Sequence, residues 1–270
     1  MTMTSNQPIV SSTTSARLAT TEDAFLGGQL SIRQVRDGSR AGVDAVFLAA
    51  ACPARAGQTV LEAGTGSGVV ALAVAHRVAN VAATGVEIDA ELAALARENA
   101  VCNNLADRVR IIEGDVTAPA SAIAAQGLPL ESFNHVLANP PFLEASEARV
   151  PPGARLARAH ALEAGDLERW VRFLAAFCAP KGMATIVHRA DALPRLLAAL
   201  EGRFGGVVAY PLFPRPGEPA TRVLVQGKKG SRAPFCLAQG MVLHAEGNAF
   251  TPEAQAVLRH GQRLELLPQR

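Results

Sequence analysis

Hydrophobic and polar residues alternate with a period of two near the N-terminus of this chain. Residues 30–33 read LSIR, which predicts a strand with one buried face. The Asp37-Gly38 pair that follows is a typical hairpin turn sequence. Asp44 then precedes the helix-forming run AVFLAA, which predicts a helix with Asp44 as its N-cap. We therefore expect a hairpin and a helix ahead of the main fold.

From residue 59 the pattern changes to apolar strands that alternate with amphipathic helices. Strands are predicted at 59–63, 83–88, 109–113, 133–138, 184–188 and 206–212. Helices are predicted at 69–77, 90–103, 167–178 and 191–201. This alternation predicts an α/β fold, a mostly parallel twisted sheet with helices on both faces. Such sheets bind ligands at the carboxyl ends of their strands, so residues after different strands are expected to share one crevice.

The C-terminal part is predicted to complete this sheet with an antiparallel edge. Residues 221–226 are strand-like, and a second apolar stretch covers 235–243. Thr251-Pro252 is typical of an N-cap followed by proline at the first helical position, which predicts a final short helix. With neither a repeat nor a linker, residues 23–270 are predicted to form a single domain with an N-terminal hairpin/helix embellishment. The Ser/Thr-rich residues 1–22 are predicted to be a disordered lead.

Composition narrows the class of protein. The hydrophobic content of 49% in 270 residues allows a large core, and no apolar run approaches the ~20 residues that cross a bilayer. The N-terminus lacks the apolar segment of a secretory signal. The four cysteines lie far apart, which predicts buried thiols and a cytoplasmic protein rather than disulfides. The histidines have no metal-ligand spacing, and a net charge of +2 does not by itself indicate nucleic acid.

The first predicted strand runs into a glycine-rich turn, EAGTGSG at residues 62–68. Glycines let the backbone turn sharply and approach a ligand closely, and the next helix offers free N–H groups. The spacing G-x-G-x-G differs from the dinucleotide pattern G-x-G-x-x-G. It resembles the S-adenosylmethionine loop of Rossmann-like methyltransferases, which implies that this turn contacts the cofactor. The contacting residues would be Glu62, Gly64, Thr65, Gly66 and Gly68.

Acidic residues follow the next two strands. Glu87 comes about twenty residues after the turn, where a carboxylate accepts hydrogen bonds from a ribose diol, and Ile88 beside it is placed on the same cofactor site. Asp89 is better explained as the N-cap of the following helix. Asp115 could receive the exocyclic amine of the cofactor's adenine, or it could cap the next helix. In chain order, the glycine turn, Glu87 and Asp115 are therefore predicted to contact the amino-acid end, the ribose and the adenine of S-adenosylmethionine.

The fourth strand ends in VLANPPF, where Asn139, Pro140, Pro141 and Phe142 form the predicted catalytic turn. The amide oxygen of Asn139 and the carbonyl of Pro140 could accept both N–H bonds of a planar amine, which turns its lone pair toward a methyl donor. Prolines make the turn rigid, and Phe142 offers a flat face for stacking. A strand-ending turn with Phe142 in the core is the alternative.

With this turn, the chain resembles the bacterial tRNA(Val) adenine-N6 methyltransferase family, in the methyltransferase small-domain group. The segments LGG at 26–28 and RAGVDAV at 40–46 add to the resemblance. It implies that Gly64, Gly66, Glu87 and Asp115 bind S-adenosylmethionine, that the NPPF turn receives adenine, and that Asp44 lies near the cofactor. The residues after Phe142 and those from Gly227 onward match nothing that can be carried over.

The predicted partner is tRNA. Arg149, Arg155 and Arg158 in one loop, and the region Arg222–Arg232 in another, are the candidate RNA contacts, with a solvated surface as the alternative. An N5-glutamine protein methyltransferase could use the same turn, but those enzymes carry a helical N-terminal domain where this chain has a hairpin pattern. A guanine-N2 RNA methyltransferase, a small aromatic amine as substrate and a cofactor-binding protein without activity are the remaining alternatives.

Overall fold

The computed structural model describes residues 19–37, 40–141, 143–144, 161–162 and 166–267. The strands in chain order are β1 (Thr20–Phe25), β2 (Leu30–Val35), β3 (Thr59–Ala63), β4 (Ala82–Glu87), β5 (Val109–Glu113), β6 (Phe133–Ala138), β7 (Leu143–Glu144), β8 (Ala161–Leu162), β9 (Cys178–Arg189), β10 (Phe204–Phe213), β11 (Arg222–Lys229), β12 (Cys236–Leu237) and β13 (Met241–Val242). The helices are α1 (Val43–Ala51), α2 (Val69–Arg77), α3 (Ala90–Cys102), α4 (Ala120–Ala124), α5 (Asp166–Phe177), α6 (Leu193–Leu200) and α7 (Pro252–His260).

Nine of the described strands form one sheet, in the order β12-β10-β11-β9-β6-β3-β4-β5, with β13 also paired to β10. Strands β5, β4, β3, β6 and β9 are parallel to one another, whereas β11 is antiparallel to both β9 and β10. The predicted α/β class with an antiparallel edge is confirmed. From β3 the chain builds outward through β4 and β5, and it then returns to add β6 on the other side. That reversal between β3 and β6 is the place where a ligand is expected.

Two hydrophobic clusters cover the two faces of this sheet. One cluster contains the buried residues of α1, α2, α3 and α7, and the other contains those of α4, α5 and α6. Both clusters include side chains from the central strands, because successive residues of a strand point to opposite faces. The central strands are therefore buried on both sides, which accounts for their continuous apolar runs.

The N-terminal hairpin differs from its prediction in where it turns. Strands β1 and β2 pair antiparallel with Phe25 opposite Leu30, so the turn lies at residues 26–29 and not at Asp37-Gly38. Gly27 and Gly28 adopt positive φ angles of 68° and 93° there, which glycine tolerates without steric cost. The hairpin also begins at Thr20, inside the stretch predicted to be disordered, while residues 1–18 lie outside the described part.

The start of α1 corrects a second prediction. Gly42, not Asp44, is the N-cap of this helix, and Asp44 lies in the first turn. The Asp44 carboxylate instead accepts a 2.9 Å hydrogen bond from Nε of Arg222 on β11. Asp44 therefore forms an ion pair with a residue distant in the sequence and does not cap the helix.

Asn99 of α3 links the hairpin to the glycine turn. Its Oδ1 accepts from the backbone N–H of Arg33 on β2 at 2.9 Å, and its Nδ2 donates to the Arg33 carbonyl at 2.9 Å. The same Nδ2 donates to the carbonyl of Ser67 at 2.9 Å. One fully buried amide side chain therefore positions β2 against the turn that follows β3.

Candidate active site

A cavity of about 830 Å³ lies at the carboxyl ends of the central strands. It brings together residues from turns that are far apart in the sequence. The predicted site residues that line it are Asp44, Glu62, Gly64, Thr65, Gly66, Glu87, Ile88, Asp115, Asn139, Pro140 and Pro141. Gly68 is not among the lining residues, and Phe142 lies outside the described residues.

Gly64 and Gly66 give the turn after β3 its shape. The N–H groups of Gly64 and Thr65 both donate to the carbonyl of Val86 on β4, at 2.8 and 3.0 Å. Gly64 has a φ of +67°, and a Cβ there would lie 2.4 Å from Cη2 of Trp170. Gly66 has a φ of +55°, and nothing lies within 4 Å of its Cβ position. The turn is thus fitted tightly under Trp170 at Gly64 and is open at Gly66.

Gly68 has a different role from the one predicted. It is the N-cap of α2, with a φ of 88°, and a Cβ there would lie 3.3 Å from Cβ of Ala96 on α3. The absence of a side chain lets α2 begin close against α3. Gly68 therefore serves helix packing and does not form the wall of the cavity.

Glu62 is a buried acid behind the glycine turn, with 2% of its surface exposed. Its Oε2 accepts from the Thr65 hydroxyl at 2.6 Å and from the Ala71 N–H at 3.0 Å. Burial nonetheless raises the pKa of Glu62 to about 8, because desolvation disfavours the charged form more than these hydrogen bonds favour it. A cation bound beside this carboxyl would stabilise its ionised form.

Glu87, the last residue of β4, is hydrogen-bonded to the glycine turn. Its Oε2 accepts from the Gly66 N–H at 2.8 Å, and its Oε1 accepts from the Asp89 N–H at 3.0 Å. Burial raises the pKa of Glu87 as well. Ile88 is 69% exposed beside it, an apolar surface at the cavity. Asp89 is the N-cap of α3, as predicted, and accepts from the N–H groups of Glu91 and Leu92.

Asp115 follows β5 and does not cap a helix. Its Oδ1 accepts from both the N–H and the hydroxyl of Thr117, each at 2.7 Å. The next helix, α4, begins later and has Pro119 as its N-cap. The capping alternative is therefore wrong, and the carboxyl group of Asp115 stays at the cavity wall, held by a local turn.

Asn139 directly follows β6 and lines the cavity. Its Oδ1 is buried and has no hydrogen-bond partner among the residues that the structure describes. Leaving a buried acceptor unpaired costs about 1–3 kcal/mol, so this oxygen requires a donor from a water molecule or a ligand. Pro140, the next residue, is buried.

Several cavity residues were not predicted from the sequence. Trp170 of α5 lines the cavity, as do Arg40, His244 and Phe250. Trp170, His244 and Phe250 come from segments that carry no motif, and their only sequence signal is that Trp170 is the single tryptophan. Arg40 belongs to the segment RAGVDAV, but no role in the site was assigned to it. All four belong to the site because folding brings them to the same cavity, and a single sequence does not show this.

The second basic cluster is not one loop. Arg222 begins β11 and lines the cavity, whereas Lys229 ends the same strand. Lys229 Nζ donates to Glu131 at 2.7 Å and to the carbonyls of Ala175 and Cys178 at 2.7 and 2.8 Å. Its ammonium group therefore has partners within the protein, and the assignment of this region to RNA stays a prediction. Arg149, Arg155 and Arg158 lie outside the described residues.

The four cysteines differ in how far they are buried. Cys52 and Cys178 are buried, but Cys102 is exposed and Cys236 is half-buried, so the prediction of buried thiols holds for only part of the set. Within the described ranges, no helix is long and apolar enough to cross a membrane. In the same ranges, no three His, Cys, Asp or Glu side chains are grouped to hold a metal ion.

The strand order, the glycine turn and the acids after β4 and β5 define a Rossmann-like S-adenosylmethionine-dependent methyltransferase. Residues 37–163 match the family described as methyltransferase small domain. The chain is a methyltransferase, and S-adenosylmethionine is its cofactor.

Relatives of known name cover most of the chain. A tRNA1(Val) (adenine(37)-N6)-methyltransferase from Aeromonas salmonicida is 29% identical over 233 residues, 84% of this chain and 92% of the relative. A protein of the same name from Porphyromonas gingivalis is 28% identical over 242 residues, 86% of this chain and 91% of the relative. A crystal structure described as a predicted O-methyltransferase from Agrobacterium tumefaciens is 30% identical, with a TM-score of 0.69, over 82% of this chain and 97% of that one.

Proposed function

We propose that this protein methylates the exocyclic N6 amine of an adenine in tRNA. The observation that carries the proposal is the buried Oδ1 of Asn139, a hydrogen-bond acceptor at the cavity that is unpaired within the described chain. A planar amine is a partner that would satisfy it. The names of the Aeromonas and Porphyromonas relatives support adenine in tRNA as the acceptor.

The residues of the cavity fit the cofactor. We assign the cofactor's cationic amino-acid end to the turn around Gly66, where the backbone is open and the buried Glu62 gains from a nearby cation. Its ribose is assigned to Glu87, and its adenine to the space between Ile88 and Asp115, where an exposed apolar side chain and a carboxyl line the cavity. When bound, the cofactor supplies an electrophilic methyl group on a sulfonium with a neutral leaving group.

The chain's own contribution to the reaction is positioning rather than strong base catalysis. Oδ1 of Asn139 and the carbonyl of Pro140 accept the two N–H bonds of the acceptor amine, which directs its lone pair out of the ring plane. The same acceptors stabilise the positive charge that develops on that nitrogen. Pro140 and Pro141 restrict the turn, so these oxygens are held in place before the substrate arrives.

An N-terminal hairpin that packs on the core favours a nucleic-acid acceptor over a protein one. Strand β2 is bound to α3 through Asn99, and Gln34 and Val35 of β2 line the cavity. The hairpin is therefore part of the cavity wall. A glutamine amide and guanine N2 present the same planar amine, so the product identifies which of the three is methylated.

The test is transfer of a labelled methyl group to total tRNA, followed by digestion to nucleosides. We expect N6-methyladenosine with the parent protein. Asn139→Ala should reduce the rate at least about 100-fold, the effect of removing a placed hydrogen-bond group at a reacting centre, while calorimetry shows unchanged cofactor affinity. Methylated glutamine from protein extracts, or a parent-like rate for Asn139→Ala, would refute the proposal.

A further inference from the structure

Two aromatic rings form part of the cavity wall. His244 and Phe250 stack with ring centroids 4.5 Å apart and an interplanar angle of 24°. Both side chains are half-buried and line the cavity. Phe250 packs against the larger hydrophobic cluster, which places the imidazole of His244 on the outer side of the pair. We call this pair the aromatic shelf.

The backbone holds the aromatic shelf in a fixed position. The His244 N–H donates to the carbonyl of Pro214 at 3.1 Å, and His244 pairs with Phe250 as an isolated antiparallel bridge. Nδ1 of His244 lies 3.2 Å from the carbonyl oxygen of Asn248, which orients the ring. A ring that is already ordered loses little entropy when a ligand stacks on it.

Both acidic and basic side chains line the cavity. The carboxyl groups of Glu62, Glu87 and Asp115 lie around the glycine turn and the ends of β4 and β5. Arg40 and Arg222 line the same cavity. Their side chains are 37% and 32% exposed, and both form ion pairs, with Asp23 and Asp44 respectively. Carboxyl groups suit a cationic cofactor, and guanidinium groups suit a phosphate-bearing acceptor.

The cavity has a volume of about 830 Å³, near the upper end of the roughly 300–1,000 Å³ of ligand sites. The cofactor is assigned to the carboxyl groups, so the aromatic shelf and Arg222 have no ligand assigned to them.

We propose that the aromatic shelf is an RNA-binding subsite, on which a nucleobase adjacent to the target adenine stacks against His244. The phosphate beside that base lies toward Arg222, which lines the same cavity. This inference rests on the proposed function and adds the residues that bind the acceptor outside the Asn139 turn. Stacking on an aromatic ring accepts any base, so the aromatic shelf strengthens RNA binding without itself reading the sequence.

The test compares His244→Ala with His244→Phe, which keeps a ring for stacking. His260→Ala is the matched control, because His260 is exposed at the end of α7 and does not line the cavity. We expect His244→Ala to raise the KM for tRNA about tenfold, the effect of one lost stacked base. His244→Phe and His260→Ala should keep the parent KM, and cofactor affinity should be unchanged in all three.

Other results separate the two proposals. A parent-like KM for His244→Ala, with RNA methylation intact, overturns the aromatic shelf alone. Weaker cofactor binding in His244→Ala also overturns it, because the ring would then belong to the cofactor side. Phe250→Leu keeps the apolar volume but removes the second ring. This variant is an independent test of the aromatic shelf and should also raise the KM for tRNA. Methylation of protein and not RNA by the parent refutes the proposed function and this inference with it.

Discussion

Replacing Gly64 with alanine tests how closely the glycine turn is fitted to its surroundings. Gly64 has a left-handed φ of +67°, and the new Cβ would lie 2.4 Å from Cη2 of Trp170. Two costs therefore add at this position. Gly66, two residues later, has φ of +55° but open space around its Cβ position, so Gly66→Ala carries only the backbone cost.

The expected magnitudes follow from these two costs. The left-handed conformation costs alanine roughly 1–2 kcal/mol, and forcing an extra methyl into a packed site adds about 1–3 kcal/mol. Gly64→Ala should therefore lower the free energy of unfolding by about 2–5 kcal/mol. Gly66→Ala should lower it by about 1–2 kcal/mol, and its methyl group should weaken cofactor binding because it projects into the cavity.

Urea unfolding followed by circular dichroism measures both variants on one scale. Trp170 is the only tryptophan in the chain, so its fluorescence reports directly on the site beside Gly64. Adding Trp170→Phe to Gly64→Ala should recover part of the loss, since the smaller ring relieves the overlap. Equal unfolding free energies for the two alanine variants, or no recovery in the double variant, would show that Trp170 does not restrict Gly64.

Three further predictions concern the same site. Glu62 has a folded-state pKa of about 8, whereas its ordinary value is 4.5. Its contribution to the free energy of unfolding is therefore complete below about pH 4.5 and is lost as the pH rises toward 8. Unfolding curves of the cofactor-free protein should show this pH dependence, and Glu62→Gln should abolish it. Asp89→Ala should cost about 1 kcal/mol through loss of the α3 N-cap, and an unchanged urea midpoint would contradict that role. Adding S-adenosylmethionine should alter Trp170 fluorescence, because the indole lines the cavity; a constant signal under conditions where calorimetry shows binding would place the cofactor elsewhere.

The parts of the site that the sequence predicts are those whose geometry is local. The turn at Gly64 and Gly66 and the amide Asn139 each follow a strand directly, and the acid Glu87 is the last residue of its strand. Parallel strands bring their carboxyl ends to one edge. Knowing the alternation of strands and helices was therefore enough to place these residues together.

The parts that the sequence does not predict depend on distant contacts. Asp44 was expected to cap α1, but its partner Arg222 is 178 residues away, and no local pattern indicates that pair. The hairpin turn was assigned to Asp37-Gly38 because the signal is common, although the glycines at 27 and 28 supply the positive φ angles. The aromatic shelf was not predicted either. His244 and Phe250 are only six residues apart and pair locally, but contacts with distant residues, such as the hydrogen bond from the His244 N–H to the Pro214 carbonyl, place them at the cavity.

Asn99 couples the position of the N-terminal hairpin to that of the glycine turn. Its amide group holds a strand of the N-terminal hairpin and the glycine turn through bonds to Arg33 and Ser67. A shift of the glycine turn away from α3 must stretch a hydrogen bond from the same nitrogen that also donates to the hairpin. The two segments are therefore coupled through one buried side chain, and loosening one disturbs the position of the other.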